Sequence, residues 1–224
     1  FLLFGFKQGW ACLFGGLIAP SLNVGNGLRA NDVRFPAGQP ILIDLRGLTS
    51  GGDIVMRNLG RANGPRKVCQ LIMTQARIAG AVDCSGARLV LDIEATPKSN
   101  CLADEDPAAL QLGRADIAGD VTLTTIGDNR FEAIGGANLG GARIGGQLWC
   151  IEARFENPGA DAFVLDRIKV ANSVFLKADK HRFEATGEVR LIGARIDGQL
   201  TCDGACFSNP GGDALSMDRA EINS

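Results

Sequence analysis

The chain is 224 residues long and nearly balanced in charge, with 23 basic and 25 acidic side chains and a net charge of −2. That balance excludes a nucleic-acid binder working by bulk positive charge, and it gives no support to an acidic mimic of DNA. Thirty glycines and no tyrosine suit a chain of many tight corners, and the length is enough for one large solenoid domain.

Residues 1–19, FLLFGFKQGWACLFGGLIA, are the compositional outlier; they are apolar but carry Lys7 and Gln8. Two readings stay open. One is an apolar cap over the first coil of a solenoid, whose ends need covering. The other is the end of a membrane-spanning helix, which takes about 20 mostly apolar residues. The chain opens on Phe rather than Met, which reads as a fragment or a processed form. A cleavable signal peptide fits less well, because the charged start is missing.

From Leu17 onward one frame repeats. It is clearest at 189–207, VRLIGARIDGQLTCDGACF. With Val189 as position zero, apolar or small residues fall at positions zero, two, five, seven, eleven, thirteen, sixteen and eighteen. The frame fits again from Leu17, Ile43, Leu71, Leu110, Ala137, Phe163 and Leu215. Residues two apart share one face of a short strand, and the outward residues between pairs turn the chain. A fixed period in this range means one supersecondary unit per repeat, stacked on its neighbours. The prediction is therefore all-β: a right-handed parallel β-helix of about eight coils of ~26 residues, forming a single solenoid over 17–224.

Position nine holds Asn26, Gly52, Gly80, Gly119, Gly146, Asn172, Gly198 and Ser224. Gly and Asn tolerate the left-handed backbone region, so this column is expected to be a left-handed corner. An insertion at 95–107, ATPKSNCLADEDP, lengthens the third coil and has the composition of a surface loop. Its Asp104, Glu105 and Asp106 read as solvated carboxylates before they read as a cation site. Coils five and seven end in Asn157-Pro158-Gly159 and Asn209-Pro210-Gly211, coils four and six in Arg130-Phe131-Glu132-Ala133 and Arg182-Phe183-Glu184-Ala185. The finer period is two coils, read as turn chemistry or as a recognition edge of projecting loops.

Few residues carry candidate chemistry. Cys84, Cys150 and Cys202 fall at position thirteen, point inward, and lie two rungs from one another. That is roughly 9.6 Å, beyond disulfide reach, so they are expected to be reduced core residues. His181 sits in a loop between Lys180 and Arg182 with no carboxylate to orient it. No catalytic residue, metal ligand or cofactor site is expected. Position six faces outward and reads Arg77, Asp116, Arg143, Lys169, Arg195 and Glu221. Arg143, Lys169 and Arg195 become three successive positive rungs, a candidate anion-binding ladder. Position twelve places Trp149 beside Phe175, facing out, a candidate patch for a protein partner unless a loop covers it.

Ala137-Asn138-Leu139-Gly140-Gly141, followed by Ala142-Arg143-Ile144-Gly145-Gly146, resembles the pentapeptide-repeat pattern. The stretch 187–207 with the NPGGDA after it more closely resembles repeats of bacterial β-helix proteins catalogued as membrane-associated oxidoreductases. The likeness is strong over 137–224 and weaker over 17–136. Residues 1–19 are also similar to a segment of a bacterial integral-membrane family. The resemblance implies a bacterial origin, an association with membranes and an oxidoreductase label. The chain shows no GxGxxG between a strand and a helix, no CxxC and no haem attachment sequence to carry that label. The expected function is a non-enzymatic scaffold that binds a protein partner or self-associates through the final coil at Leu215. An enzyme built on a β-helix and a lipid-headgroup module on an anionic membrane surface are the alternatives. Reduced core cysteines place it in the cytoplasm or at the cytoplasmic face of the inner membrane.

Overall fold

The computed structural model describes residues 17–33, 41–61, 69–91 and 107–223. Most of 1–19, nearly all of the 95–107 insertion, Cys12 and Cys101 lie outside them. The described residues form a parallel β-solenoid. Position-zero residues pair in register from coil to coil, Leu17 with Ile43, Leu71, Leu110, Ala137, Phe163, Val189 and Leu215 in turn. Position seven does the same from Val24 to Ile222, and position eleven from Leu28 to Leu200. These ladders make sheets of eleven, eight and seven strands. The chain completes seven turns and begins an eighth.

Positions zero to two form the first side of each coil, six and seven the second, eleven and twelve the third, and the residues from sixteen onward the fourth. Strands Arg154–Val164 and Glu184–Arg190 run unbroken through the corner from the fourth side to the next first side. That continuity merges the two sides into the eleven-stranded sheet.

The interior is a stack of like residues. Ile78, Ile117, Ile144, Val170 and Ile196 form one buried column beside a position-five column of Ala76, Ala115, Ala142, Ile168 and Ala194. The two-coil period has its origin here. Phe131 is level with Ala153, Phe183 and Ala205, while Ala133 is level with Phe155, Ala185 and Phe207. Large and small residues thus alternate along two neighbouring columns, and no phenylalanine lies directly above another. The rings zigzag, with Phe155 5.7 Å from both Phe131 and Phe183 and Phe183 5.6 Å from Phe207. Close packing in a column of fixed rung height demands this alternation, and each buried ring contributes about 1.5–3 kcal/mol. Leu123, Cys150, Leu176 and Cys202 alternate in the same phase at position thirteen.

The corners differ from the sequence expectation. No described glycine or asparagine of position nine has positive φ; the left-handed residues that recur from coil to coil sit at position four and, in five of the coils, at position fifteen. Position four is left-handed in every coil: Ser21, Gly47, Gln75, Arg114, Gly141, Arg167, Gly193 and Arg219, with φ of 55–68°. The amide of position five donates to the carbonyl of position two, as in Ala142 to Leu139 at 3.0 Å and Ile168 to Leu165 at 3.1 Å. This is a type II turn, whose third residue needs φ > 0. Position nine needs glycine for clearance instead. Asp120 Oδ1 accepts the amide of Gln147 in the next coil at 2.7 Å, and a Cβ on Gly146 would lie 2.0 Å from that oxygen. Asp53 does the same for Ala81 beside Gly80, and Ser173 for Gln199 beside Gly198. Side chains from one coil therefore satisfy the corner amides of the next, and glycine leaves them room.

Candidate functional site

The second side is built from two-residue strands: Asp116–Ile117, Arg143–Ile144, Lys169–Val170, Arg195–Ile196 and Glu221–Ile222. Alternation sends each β-branched residue inward and each charged residue out. The register is direct, Asp116 to Arg143, Lys169, Arg195 and Glu221, and all five are exposed. The structure thus brings Arg143, Lys169 and Arg195 together as rung neighbours about 4.8 Å apart. Arg195 pairs with Glu221 at 3.1 Å, with both side chains more than half exposed. Among the described residues neither Arg143 nor Lys169 has an ion-pair partner.

Position eight, the next outward column, is nearly bare: Ala118, Gly145 and Ala171, then Asp197. The long cations therefore flank a shallow trough of about 420 Å³ floored by small residues. Asp116 stands at one end and Asp197 at the other. A second row of cations lies on the corner beside it. Arg114 and Arg167 occupy left-handed position four, and their side chains lie over the glycine of the following coil. A Cβ on Gly141 would meet Arg114 Cγ at 3.5 Å, and one on Gly193 would meet Arg167 Cγ at 3.7 Å. Arg114 thereby leans towards the coil of Arg143, and Arg167 towards that of Arg195. The frame missed this row because its arginines alternate with glycines. The dipeptides Asp166-Arg167 and Asp218-Arg219, two coils apart, were the signal that could have exposed it.

Trp149 and Phe175 are register partners on the third side, as expected, and both are half-buried. Their rings stack with centroids 4.4 Å apart and planes 17° from parallel. Trp149 Nε1–H donates to Asp120 Oδ2 at 3.4 Å, and the Lys177 ammonium lies 5.6 Å from the Phe175 centroid. Each ring covers a face of the other, so the pair braces adjacent rungs as well as lining the surface.

Cys69, Cys84 and Cys150 are buried free thiols, and burial pushes Cys69 and Cys84 up to about 12 and Cys150 well above the usual thiol range. Cys202 is half-buried and Cys206 exposed. His181 is exposed, and its amide is what is engaged: Glu152 accepts N–H from Lys180 at 2.5 Å and from His181 at 2.9 Å. Burial pushes the Glu152 carboxyl up, but these amides outweigh it and hold it below its usual value. Glu152 is thus a clip for the turn.

Among the described residues no group of three or more His, Cys, Asp or Glu lies close enough to hold a metal ion, and no helix is long and apolar enough to cross a membrane. No family model, curated protein or solved structure matches the chain.

Proposed function

We propose that this chain is a non-enzymatic β-solenoid scaffold of the pentapeptide-repeat kind that docks reversibly on an anionic membrane surface through its second side. The remaining sides are left free for a protein partner. One observation carries the reading: Arg143, Lys169 and Arg195 occupy successive rungs, and the first two lack any acidic partner among the described residues. Like charges directly opposite in a ladder destabilise it. Arg195 is already paired with Glu221, but Arg143 and Lys169 hold charge that an external anion can neutralise. Each Lys or Arg brought to an anionic leaflet contributes about 1 kcal/mol. The three ladder cations therefore give at most roughly 3 kcal/mol, which suits weak and reversible peripheral binding. The resemblance to repeats of membrane-associated bacterial proteins points the same way.

The test is co-sedimentation with phosphatidylcholine vesicles, with and without an anionic lipid, at low and high salt. Binding is expected only with the anionic lipid, is expected to weaken as salt screens the charges, and is expected to disappear when Arg143, Lys169 and Arg195 are all replaced by Gln. A wild-type chain that stays in the supernatant, or a triple variant that binds unchanged, overturns the reading.

A further inference from the structure

The acidic ends of the basic ladder bear on what it binds. Asp116 precedes Arg143 by one rung, Glu221 follows Arg195 by one rung and pairs with it, and Asp197 stands beside Arg195 at position eight. The positive run is therefore three rungs long, and its Arg195 end is already paired. From Arg143 to Arg195 is roughly 10 Å. A linear polyanion lying along the solenoid axis would meet a carboxylate at both ends. A single compact anion centred on Lys169 would lie two rungs from both Asp116 and Glu221 and would have Asp197 as its one near acid. A uniformly charged anionic surface would gain more from a ladder without terminal acids than from this one.

Within that short run the charge is dense. Lys169 is central, with Arg143 and Arg195 on the flanking rungs. Arg114 and Arg167 lie over Gly141 and Gly193 on the neighbouring corner, outside the lining of the trough. The bare floor at Ala118, Gly145 and Ala171 lets a headgroup sink between the side chains to the level of the backbone. Arginine grips a phosphate with two parallel N–H bonds, whereas lysine acts as a point charge. A central lysine between two arginines suits one phosphate group with more than one negative charge and several free oxygens. A phosphate monoester carries about −1.5 to −2 charge at neutral pH and three acceptor oxygens. A phosphodiester carries one charge and two such oxygens.

We infer that the trough on the second side is a discrete site for a phosphomonoester group, centred on Lys169 and gripped by Arg143 and Arg195. This rests on the docking reading above and narrows it from any anionic surface to one headgroup chemistry. The same group occurs on a lipid such as phosphatidic acid or free in solution.

The experiment compares vesicles containing phosphatidic acid with vesicles containing phosphatidylglycerol, a diester, adjusted to equal surface potential. The inference expects phosphatidic acid vesicles to bind at least several-fold more tightly, with the difference lost in Lys169→Gln and in Arg143→Gln. Both residues are exposed, so neither change disturbs the core. Inorganic phosphate is then titrated against the bound complex. Competition that removes the preference supports the same chemistry drawn from solution, and a preference that survives saturating phosphate supports the lipid as its source. Equal binding to the two vesicles overturns the phosphomonoester site while leaving surface docking intact. A preference that persists in both variants places its origin elsewhere and overturns the site too. No binding to either vesicle overturns the docking reading itself.

Discussion

Two outward charge columns run along this solenoid, and they are wired differently. On the fourth side the register passes from Arg88 to Glu132, Arg154, Glu184 and Cys206, so the signs alternate. Arg88 and Arg61 reach Glu132 at 3.1 and 3.3 Å, and Arg130 reaches Glu184 at 3.0 Å. Arg130 also ties the coils through the carbonyls of Glu152, Ala153 and Arg182. On the second side the same rung height carries Asp116, then three cations, then Glu221. The fourth side uses its charges to hold coil to coil. The second side pairs only Arg195 with Glu221 among these five and leaves Arg143 and Lys169 facing solvent. Two columns of one scaffold can thus differ in purpose through sign order alone.

Reversing a sign in the paired column gives the largest expected effect. Glu132→Lys removes the acid shared by Arg61 and Arg88 and sets a cation opposite Arg154 as well. The site is mostly buried, with 17% of the Glu132 side chain exposed. Burial already holds the Arg61 guanidinium below its usual value, with Glu132 partly opposing that shift. The expected loss is about 2–3 kcal/mol, from broken semi-buried pairs and new like-charge contacts. A shift of the urea midpoint to lower concentration measures it. A midpoint close to that of the wild type would mean that the alternation is incidental to cohesion.

The frame located one of these columns and missed the other, for a physical reason. Position six lies six residues after a strand start in every coil, and no turn of variable length intervenes. Arg77 to Glu221 could therefore be read from spacing alone. The fourth side follows the loops at 124–130 and 178–182. Arg88 and Arg154 come seventeen residues after Leu71 and Ala137, but Glu132 and Glu184 come twenty-two and twenty-one after Leu110 and Phe163. A fixed frame cannot align them. The position-nine corner failed differently. A Gly/Asn column is compatible both with positive φ and with close approach, and composition does not separate the two. The pairing of Gly146 with Asp120 and of Gly80 with Asp53 across coils does separate them, but it becomes visible only when the coils are stacked.

The inverse experiment on the second side predicts a smaller effect of opposite sign. Lys169→Glu sets an acid between Arg143 and Arg195 and turns that stretch into an alternating ladder. Two repulsive neighbours become attractive ones, each worth about 0.2–1 kcal/mol in a cross-strand pair. The urea midpoint is expected to rise, while binding to anionic vesicles is lost. A variant that is both less stable and still bound would mean that these rungs do not interact as the register says.

The smallest effect belongs to Glu221, the acid that closes the basic run. Its pair with Arg195 is more than half exposed on both sides, and such pairs contribute little beyond what solvent already provides. Glu221→Gln is therefore expected to leave the midpoint unchanged within about 0.5 kcal/mol. Its effect on binding is separable. Without the carboxylate, Arg195 turns fully to an external anion, and the positive run is no longer closed at that end. Vesicles with diester headgroups should then gain more than those with monoester headgroups, because the boundary that favours one compact anion is gone. Isothermal titration against the two vesicle types at equal surface potential reads that ratio directly. A ratio unchanged from the wild type would mean that Glu221 is a bystander, and the length of the ladder would no longer account for headgroup choice.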